Sequence, residues 1–399
     1  MDRHSTGWLT LAESSLRLAP PTALPSTADA LLAEHVKARH VTLLLADYGL
    51  SELRPVTRLP HTGDAIGVRN GSAEGRAFTA QAPVVEVTDE PGAVRTHLPI
   101  TVRGDRLGVL SVDLPEQAVR GPSGVLDLAA FATALGHNLL VADRDTDLYR
   151  QARRQRRLTL AAEMQWQLLP GRGFETDEFT LGAHLQPAYT IGGDNFDWSV
   201  TDDALTVTVT DGQGHGIQAA LLTNLAVNAL RNARRAGISL EDQAYLADQA
   251  VYGEYGGRLS APSLLLRVDL ATGRARAVDA GSPQLLCHRQ GTVRRIELAD
   301  QLPLGMFEDT EYHEEEFALE AGDRLVIVSS GVHTSQNTEG SSFGELALRE
   351  TIAASRSAST HETARAVVDG LTQYHGGAEL PADATVVCLD WRGRQPTAN

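Results

Sequence analysis

The chain has 399 residues, with 35 basic and 51 acidic side chains that give a formal net charge of −16. Its hydrophobic content of 42% and charged content of 22% are ordinary for globular proteins, which excludes a wholly disordered or fibrous chain. The length predicts two or three domains, each large enough to bury a core. Only two cysteines occur, Cys287 and Cys388, so a disulfide-rich secreted scaffold is also excluded.

The negative net charge and the lack of long apolar runs indicate which binding partners and which cellular location to expect. Nucleic-acid binding requires a positive field to gather phosphates, and this chain is acidic. No uninterrupted apolar run reaches the roughly 20 residues that span a bilayer, and the N-terminus lacks the apolar core of a signal peptide. We therefore expect a cytoplasmic protein that binds neither nucleic acid nor membranes, with both cysteines buried and unreactive.

The N-terminal part of the chain divides into an extension and a first domain. Residues 1–27 contain three prolines and predict a short helix followed by a loose segment. Residues 28–142 predict strands at 41–45 and 83–87, a hairpin over 97–112, and a closing helix over 126–141.

Residues 143–169 predict a helical linker, because they contain no proline or glycine and carry alternating charge. Leu160, Met164 and Leu168 lie four residues apart, which places them on one face of a helix. Two interpretations stay open. The segment is either a solvated connecting helix or a short two-stranded coiled coil that joins a homodimer, and the stripe covers too few heptads to decide.

Beyond Pro170 the sequence predicts short strands joined by hairpins, with intervening helices. The predicted strands are 205–210, 263–269, 274–280, 284–289, 292–298, 314–319, 324–329 and 385–391, and the predicted helices are 218–236, 240–252 and 360–374. Because hairpins outnumber β-α-β crossovers, we expect an α+β fold of antiparallel sheets with helices outside, over residues 170–392. Residues 393–399 form a tail.

The segment 211–216, which reads DGQGHG, is the most informative motif in the chain. Asp211 lies at the end of a predicted strand, and the three glycines that follow allow the backbone to pass close to a ligand. The Asp211 carboxylate and the Gly212 carbonyl suit a hard divalent cation. The alternative is an ordinary strand-to-helix turn with a capping aspartate.

A second glycine pair, at 192–193, delivers Asp194 into another strand just upstream. If the two strands form a hairpin, Asp194 and Asp211 become neighbours. Two carboxylates held close are unfavourable without a cation between them, which favours a metal site. We also expect Asp197 to lie near this cation.

Residues 160–391 resemble the SpoIIE-like branch of the PPM family, metal-dependent protein serine/threonine phosphatases of bacterial signalling. The motifs that carry the resemblance are, in chain order, 160–170 (LAAEMQWQLLP), 186–188 (QPA), 192–194 (GGD), 211–216 (DGQGHG), 219–220 (AA), 280–283 (AGSP), 303–305 (PLG), 322–325 (GDRL) and 343–344 (FG). The resemblance implies an antiparallel β-sandwich flanked by helices, in αββα layers.

Residues 28–142 resemble a GAF sensor domain, which implies an α/β fold and an unidentified small ligand. The segments that carry this likeness are 75–78 (GRAF) and 103–110 (RGDRLGVL). A sensor, a helical relay and an output phosphatase form a coherent chain.

The PPM resemblance implies two Mn²⁺ or Mg²⁺ ions that activate a water for attack on phosphorus. Asp211 would bridge the ions, the Gly212 carbonyl would bind the first, and Asp194 would hold metal-bound waters. Asp194 and Asp211 are thus the implied catalytic residues. The implied function is hydrolysis of phosphoserine or phosphothreonine on a regulatory protein, such as an anti-anti-sigma-type regulator, under control of the GAF-like domain.

The sequence departs from the family at positions that normally hold metal-ligating aspartates. Ser330 and Ala382 stand at two of them, so the second ion would keep one anionic ligand instead of three. Asp383 is adjacent, but successive residues of an extended segment point opposite ways, so it could ligate only if the loop is shifted. Ser282 also replaces a usual histidine. The alternative function is therefore a catalytically impaired pseudophosphatase that acts as a binding or scaffold module.

Overall fold

The structure is a computed structural model that describes residues 5–56, 64–120, 124–154, 159–188, 191–337, 339–377 and 379–394. The chain divides into two compact units, Met1–Arg157 and Leu158–Asn399.

The first unit is built on one antiparallel sheet of six strands in the order β3-β2-β1-β6-β5-β4. Its strands are β1 (His40–Ala46), β2 (Glu52–Pro55), β3 (Ile66–Gly67), β4 (Val84–Val87), β5 (Ala93–Val102) and β6 (Asp105–Pro115). Its helices are α1 (Ser5–Leu18), α2 (Leu24–Val36), α3 (Ala73–Ala80), α4 (Glu116–Val119), α5 (Gly124–Ala142) and α6 (Leu148–Ala152). The predicted β5–β6 hairpin and the closing helix α5 are confirmed.

The predicted loose segment before residue 28 is wrong, because α2 begins at Leu24. Pro25 lies in the first turn of this helix, where a missing N–H costs nothing. Leu16 of α1 and Leu24 of α2 are each 1% exposed and join the core that α5 shares with the sheet. Helix α2 ends at Lys37, whose φ of 60° is left-handed.

The predicted continuous linker helix is also wrong. Helix α5 ends at Ala142, and Thr146 accepts a hydrogen bond from the Leu148 backbone (3.2 Å), a local bond that competes with helix continuation. Tyr149 of α6 is buried in the core of the first unit. A new helix, α7 (Leu160–Leu168), begins where the Thr159 side chain caps the Ala162 amide.

Within the described residues, the break between α5 and α6 removes the continuous helix that the coiled-coil interpretation required. The predicted stripe of Leu160, Met164 and Leu168 lies on one helix, α7, but it is buried only in part. Leu168 is buried, whereas Leu160 is 67% exposed.

Helix α5 is the one helix among the described residues that is long and apolar enough to cross a membrane. It buries Leu128, Phe131 and Leu135 in the core of the first unit.

The second unit contains two antiparallel sheets. Their orders are β15-β12-β11-β10-β9 and β14-β13-β16-β17-β8-β7. The strands are β7 (Gly173–Glu175), β8 (Phe179–Gln186), β9 (Gly193–Val200), β10 (Ala204–Gly212), β11 (Ser263–Asp269), β12 (Arg274–Ala280), β13 (Gln284–Arg289), β14 (Thr292–Arg295), β15 (Glu315–Ala318), β16 (Arg324–Val328) and β17 (Ala384–Trp391). Besides α7, the helices are α8 (Gly216–Arg235), α9 (Leu240–Tyr255), α10 (Ser330–His333), α11 (Ala347–Ala354) and α12 (Thr360–Tyr374).

Each sheet of the second unit carries helices on one face. Helices α8 and α9 pack on the five-stranded sheet, and α11 and α12 pack on the six-stranded sheet. The opposite faces are buried too, as shown by Val207 and Val209 on one sheet and Ile327 and Val387 on the other. The two sheets therefore face each other between the helix layers, which confirms the predicted antiparallel sheets with helices outside.

Both cysteines lie in this unit and are buried, as predicted. Burial raises the pKa of the Cys287 thiol to about 11 and raises that of Cys388 further. Both thiols therefore stay protonated and unreactive near neutral pH.

Candidate active site

The candidate site lies at the ends of β9 and β10. These strands pair antiparallel, with Asp211 opposite Asp194 and Gly212 opposite Gly193, so the predicted hairpin is confirmed. The alternation of β10 directs Val207, Val209 and Asp211 to one face. That face lies against the other sheet, so the two carboxylates meet at one end of the sandwich interior.

The glycines of the site are required by close backbone approach. A Cβ on Gly193 would lie 2.2 Å from the Gly212 carbonyl oxygen, and a Cβ on Gly212 would lie 2.4 Å from Thr223 Oγ1. The Thr223 hydroxyl, on α8, donates to the Gly193 carbonyl at 2.7 Å. Gly214 and Gly216 adopt left-handed φ values of 95° and 63°. These glycines thus bring α8 directly against the paired strands.

Asp194 is more deeply buried than Asp211. Its side chain is 2% exposed, and its Oδ2 atom has no hydrogen-bond partner among the described residues. Burial raises the pKa of Asp194 well above its usual range, and the neighbouring Asp211 and Asp383 carboxylates raise it further. An unpartnered buried carboxylate oxygen is costly, so a cation or proton is expected there.

Asp211 is half-buried and is held by two hydrogen-bond donors on one oxygen. The Ser282 hydroxyl donates to Asp211 Oδ2 at 2.8 Å, and the Ser330 backbone amide donates to the same atom at 3.0 Å. Ser282 lies in the turn between β12 and β13, and Ser330 begins α10. Two of the positions that depart from the PPM pattern therefore contact the predicted bridging aspartate.

Asp383 lies in the same cluster, but its oxygens are occupied. Oδ1 accepts from the Ala188 amide at 2.8 Å, and Oδ2 accepts from Gln165 Nε2 at 2.6 Å. The carboxylate is 2% exposed, and burial raises its pKa against the lowering effect of these donors. In this arrangement Asp383 fastens the segment before β9, and its proposed ligand role requires exchange of these bonds.

Ser330 and Ala382 come together beside the cluster. A Cβ on Gly331 would lie 1.9 Å from the Asp383 carbonyl oxygen and 3.3 Å from the Ala382 Cβ. The turn after β16 and the segment before β17 are therefore in contact. Of the two positions that lack an expected aspartate, Ser330 contacts Asp211 through its amide, and Ala382 packs against Gly331, the residue after Ser330.

Gln165 is the site residue that the sequence analysis missed. This side chain on α7 is 4% exposed, and its amide donates to the Asp194 carbonyl (3.2 Å) as well as to Asp383. The available signal was a single polar residue on the buried side of α7, beside Ala161, Ala162 and Trp166.

The expectation that Asp197 lies near the cation is wrong. Asp197 accepts from Arg231 at 2.7 Å and from Arg234 at 2.8 Å, both on α8. Asp194 and Phe196 lie on one face of the strand, and Asp197, the next residue, points to the opposite, helix-covered face of the sheet. Its role is to attach β9 to α8.

The residues fit one divalent ion better than two. Asp194 and Asp211 supply carboxylate oxygens, the ligands that Mn²⁺ and Mg²⁺ prefer, and the unpartnered Asp194 Oδ2 points to a missing cationic neighbour. Among the described residues, however, no group of three or more His, Cys, Asp or Glu side chains is arranged to hold a metal. A hydroxyl at 330 and a methyl at 382 do not complete a second site.

Comparison with known proteins identifies the domain that carries most of this site. Residues 201–392 match the family described as Stage II sporulation protein E (SpoIIE). These residues are therefore similar to a SpoIIE-type domain. This domain includes Asp211, Gly212 and Asp383, whereas Asp194 and Gln165 precede the matched residues. The resemblance to SpoIIE-like PPM phosphatases is thereby confirmed, and the GAF resemblance of residues 28–142 stays a prediction.

The SpoIIE-type domain also has a curated relative. The phosphoserine phosphatase RsbP of Bacillus subtilis (strain 168) is 24% identical over 183 residues, which cover 45% of this chain and 45% of RsbP. The matched region thus spans less than half the length of that protein.

Solved structures similar to this chain include two bacterial examples. The RsbU and RsbW domains of Rv1364c from Mycobacterium tuberculosis match with a TM-score of 0.48 and 22% identity, covering 55% of this chain and 63% of that one. The SiaA-PP2C domain of Pseudomonas aeruginosa matches with a TM-score of 0.47 and 21% identity, covering 53% of this chain and 84% of that one.

Proposed function

We propose that this protein is a metal-dependent phosphatase that hydrolyses phosphoserine or phosphothreonine on a regulatory protein. The observation that carries the proposal is the opposition of Asp194 and Asp211 at the end of β9 and β10, with one buried oxygen of Asp194 unpartnered. The SpoIIE-type domain and the named activity of RsbP support the same reaction class.

Each residue of the site has a role in this proposal. Asp194, Asp211 and the Gly212 carbonyl would hold Mn²⁺ or Mg²⁺, an ion that supplies water activation and neutralises phosphoryl charge. Asp383 and Gln165 fix the segment before β9 and so keep Asp194 in register with Asp211. The exposed segment 213–215 follows the half-buried Asp211, so a phosphorylated side chain of a protein substrate would approach the site from this side.

We propose a regulatory role for the first unit, with a GAF-like fold that binds a small ligand. A single antiparallel sheet packed by helices on both faces supports this assignment. The substrate we propose is a phosphorylated regulator of the anti-anti-sigma type, a choice that rests on the family resemblance.

The test is phosphate release from a panel of phosphoserine and phosphothreonine proteins, with and without Mn²⁺. We expect Mn²⁺-dependent release by the unmutated protein and a loss of at least about 100-fold in Asp211→Asn, since the lost interactions are worth several kcal/mol. Asp203→Asn, at the exposed turn between β9 and β10, is the matched control and should keep full activity. Release that is insensitive to Asp211→Asn would contradict the proposal.

A second candidate function is a catalytically impaired phosphatase that binds its regulator as a scaffold. The observation that favours it is that the two positions lacking an expected aspartate lie together, because Ser330 contacts Asp211 and Ala382 packs against the adjoining Gly331. In this case the unmutated protein retains the regulator in a pull-down but releases no phosphate. Restoring both aspartates, as Ser330→Asp with Ala382→Asp, should then raise Mn²⁺-dependent release many-fold.

A further inference from the structure

The two donors on Asp211 Oδ2 saturate that atom. A carboxylate oxygen offers two lone pairs, and here the Ser282 hydroxyl and the Ser330 amide approach within 2.8 and 3.0 Å. A cation that shared Oδ2 would have to displace at least one of them. A bridge in which each oxygen of Asp211 binds one of two ions needs both oxygens to be available to metals.

Ser282 is fixed in this position by its surroundings. Its φ of 26° lies in the left-handed region that a serine seldom adopts. Its carbonyl accepts a hydrogen bond from His333 Nε2 at 2.9 Å, and His333 Nδ1 accepts from the Gln284 amide at 3.2 Å. Helix α10 therefore orients both donors on Asp211. It contains Ser330 itself, and its His333 holds Ser282 through the Ser282 carbonyl.

The residues that a second ion needs are absent from the same place. Ser330 offers a neutral hydroxyl and Ala382 a methyl group where carboxylates would be required. Gly331 packs against Ala382 and the Asp383 carbonyl so closely that its Cβ would lie 1.9 Å from that oxygen. This contact leaves the segment before β17 no space to shift toward the Ser330 turn and bring Asp383 in as a substitute ligand.

We infer that the hydrogen bonds from Ser282 and Ser330 take the place of a second cation at Asp211, so that the chain binds one divalent ion between Asp194 and Asp211. The inference rests on the cation site of the proposed function and sets the number of ions bound there at one per chain. It differs from the two-ion arrangement that the family resemblance implies.

The test is the number of Mn²⁺ ions bound per chain, measured by calorimetric titration and electron paramagnetic resonance on the full-length protein without substrate. We expect one ion per chain with the spectrum of isolated Mn²⁺, and none in Asp211→Asn. Two ions with the spin coupling of a Mn²⁺ pair would overturn the inference and leave the proposed phosphatase intact. Zero ions would overturn the cation site and the inference together.

Two sets of variants test the role of the donors. Ser282→Ala combined with Ser330→Asp and Ala382→Asp removes one donor from Asp211 Oδ2 and supplies the missing carboxylates, so this triple variant should create the second site and a coupled Mn²⁺ pair. Ala354→Asp with Ser357→Asp, exposed residues at the end of α11, adds the same charge as a control and should still bind one ion. Loss of the native circular dichroism spectrum would identify a misfolded variant, and a folded Ser282→Ala/Ser330→Asp/Ala382→Asp protein with one ion overturns the inference.

Ser282→Ala provides a second measurement that does not add charge. Removing one donor frees a lone pair of Asp211 Oδ2, so the dissociation constant for Mn²⁺ should fall roughly two- to tenfold, the value of one hydrogen bond. Ser341→Ala, in an exposed loop, is the matched control. An unchanged or weaker affinity in Ser282→Ala would show that the donors do not compete with a cation.

Discussion

Gln165 connects α7 to both buried aspartates of the site through one amide group. Its Nε2 donates to the Asp383 carboxylate at 2.6 Å and to the Asp194 carbonyl at 3.2 Å. A shift of α7 would therefore change the hydrogen bonding of both the Asp383 carboxylate and the Asp194 carbonyl. Gln165 is therefore a positioning residue, since it contacts Asp194 only at the backbone carbonyl and not at the carboxylate.

Gln165→Leu should destabilise the protein by about 1–3 kcal/mol, because it leaves a buried carboxylate and carbonyl without a donor. The measurement is urea unfolding followed by tryptophan fluorescence, since Trp166, Trp198 and Trp391 all lie in the second unit. Gln167→Leu, the exposed neighbour on α7, should change the free energy of unfolding by less than about 0.5 kcal/mol. Equal effects of the two variants would contradict the assigned role.

His97 is a fully buried histidine in the first unit, at 0% exposure. Its Nδ1 lies 2.8 Å from the Ser111 hydroxyl and 3.8 Å from a Glu74 oxygen, and its Nε2 lies 3.6 Å from a Glu86 oxygen. Burial lowers the pKa of His97 from its usual 6.5, although the two glutamates oppose this effect.

The lowered pKa of His97 predicts a first unit that weakens in acid. The folded state binds fewer protons than the unfolded chain, so this contribution to stability is complete above about pH 6.5 and declines as the pH falls through the folded pKa. Hydrogen exchange of β5 amides, corrected for intrinsic rates, should show less protection at pH 5.5 than at 7.5. His97→Gln should remove the difference, and the exposed His137→Gln should keep it.

Strand β9 is attached to α8 by one carboxylate and two guanidinium groups. Asp197 is 4% exposed, and its partners Arg231 and Arg234 are 19% and 15% exposed. Because Asp194 lies on the same strand, this attachment also fixes the position of the candidate site relative to the helix.

Asp197→Ala should cost about 3 kcal/mol of unfolding free energy, since it leaves two largely buried cations without their partner. The matched control is Asp203→Ala, which removes the exposed partner of Arg267 on the same hairpin and should cost less than about 1 kcal/mol. Urea midpoints of the two variants give the comparison. A cost for Asp197→Ala as small as that of its control would mean that packing alone holds α8 on the sheet.

The sheets of the second unit could be predicted because their signal is local. An apolar run predicts the strand at 263–269 and an alternating run predicts the strand at 274–280, with a turn at Gly273 between them, and the structure places both strands at those residues. Asp194 and Asp211 could be paired in advance for the same reason, since a short hairpin fixes their register.

Other features could not be predicted because they depend on contacts far along the chain. The sequence alone suggests that Asp197 is another carboxylate near the cation. Only the fold shows that Arg231 and Arg234 of α8 are its partners. Gln165 meets Asp383 from 218 residues away. The helix α2 was missed because Pro20, Pro21 and Pro25 suggested a loose segment, whereas the core position of Leu24 outweighs that local signal.

At the scale of the whole molecule, the division at about residue 158 assigns α7 to the second unit. The family resemblance also begins with this helix, whereas the sequence analysis had placed the domain boundary at 170. Gln165 and the Arg231 bond to the Leu168 carbonyl (2.7 Å) give α7 a structural role in that unit.

A chain of residues 159–394 should therefore unfold cooperatively and bind Mn²⁺ as the full chain does, because Thr159 still caps α7. A chain of residues 170–394 should lose affinity and stability, since it lacks Gln165. Calorimetric titration and thermal unfolding of the two fragments make the comparison. Equal behaviour would place the boundary at 170 and assign α7 to the connection.

Lys37, the exposed left-handed residue that ends α2, is the only lysine in the sequence. Its ammonium group donates to the Glu34 carbonyl at 2.9 Å and lies at the surface of the first unit. Any chemistry directed at lysine amines, from an acylating dye to an isopeptide-linked tag, can therefore modify only this side chain. The second unit offers such reagents no side-chain amine, so a label at Lys37 reports on the first unit alone.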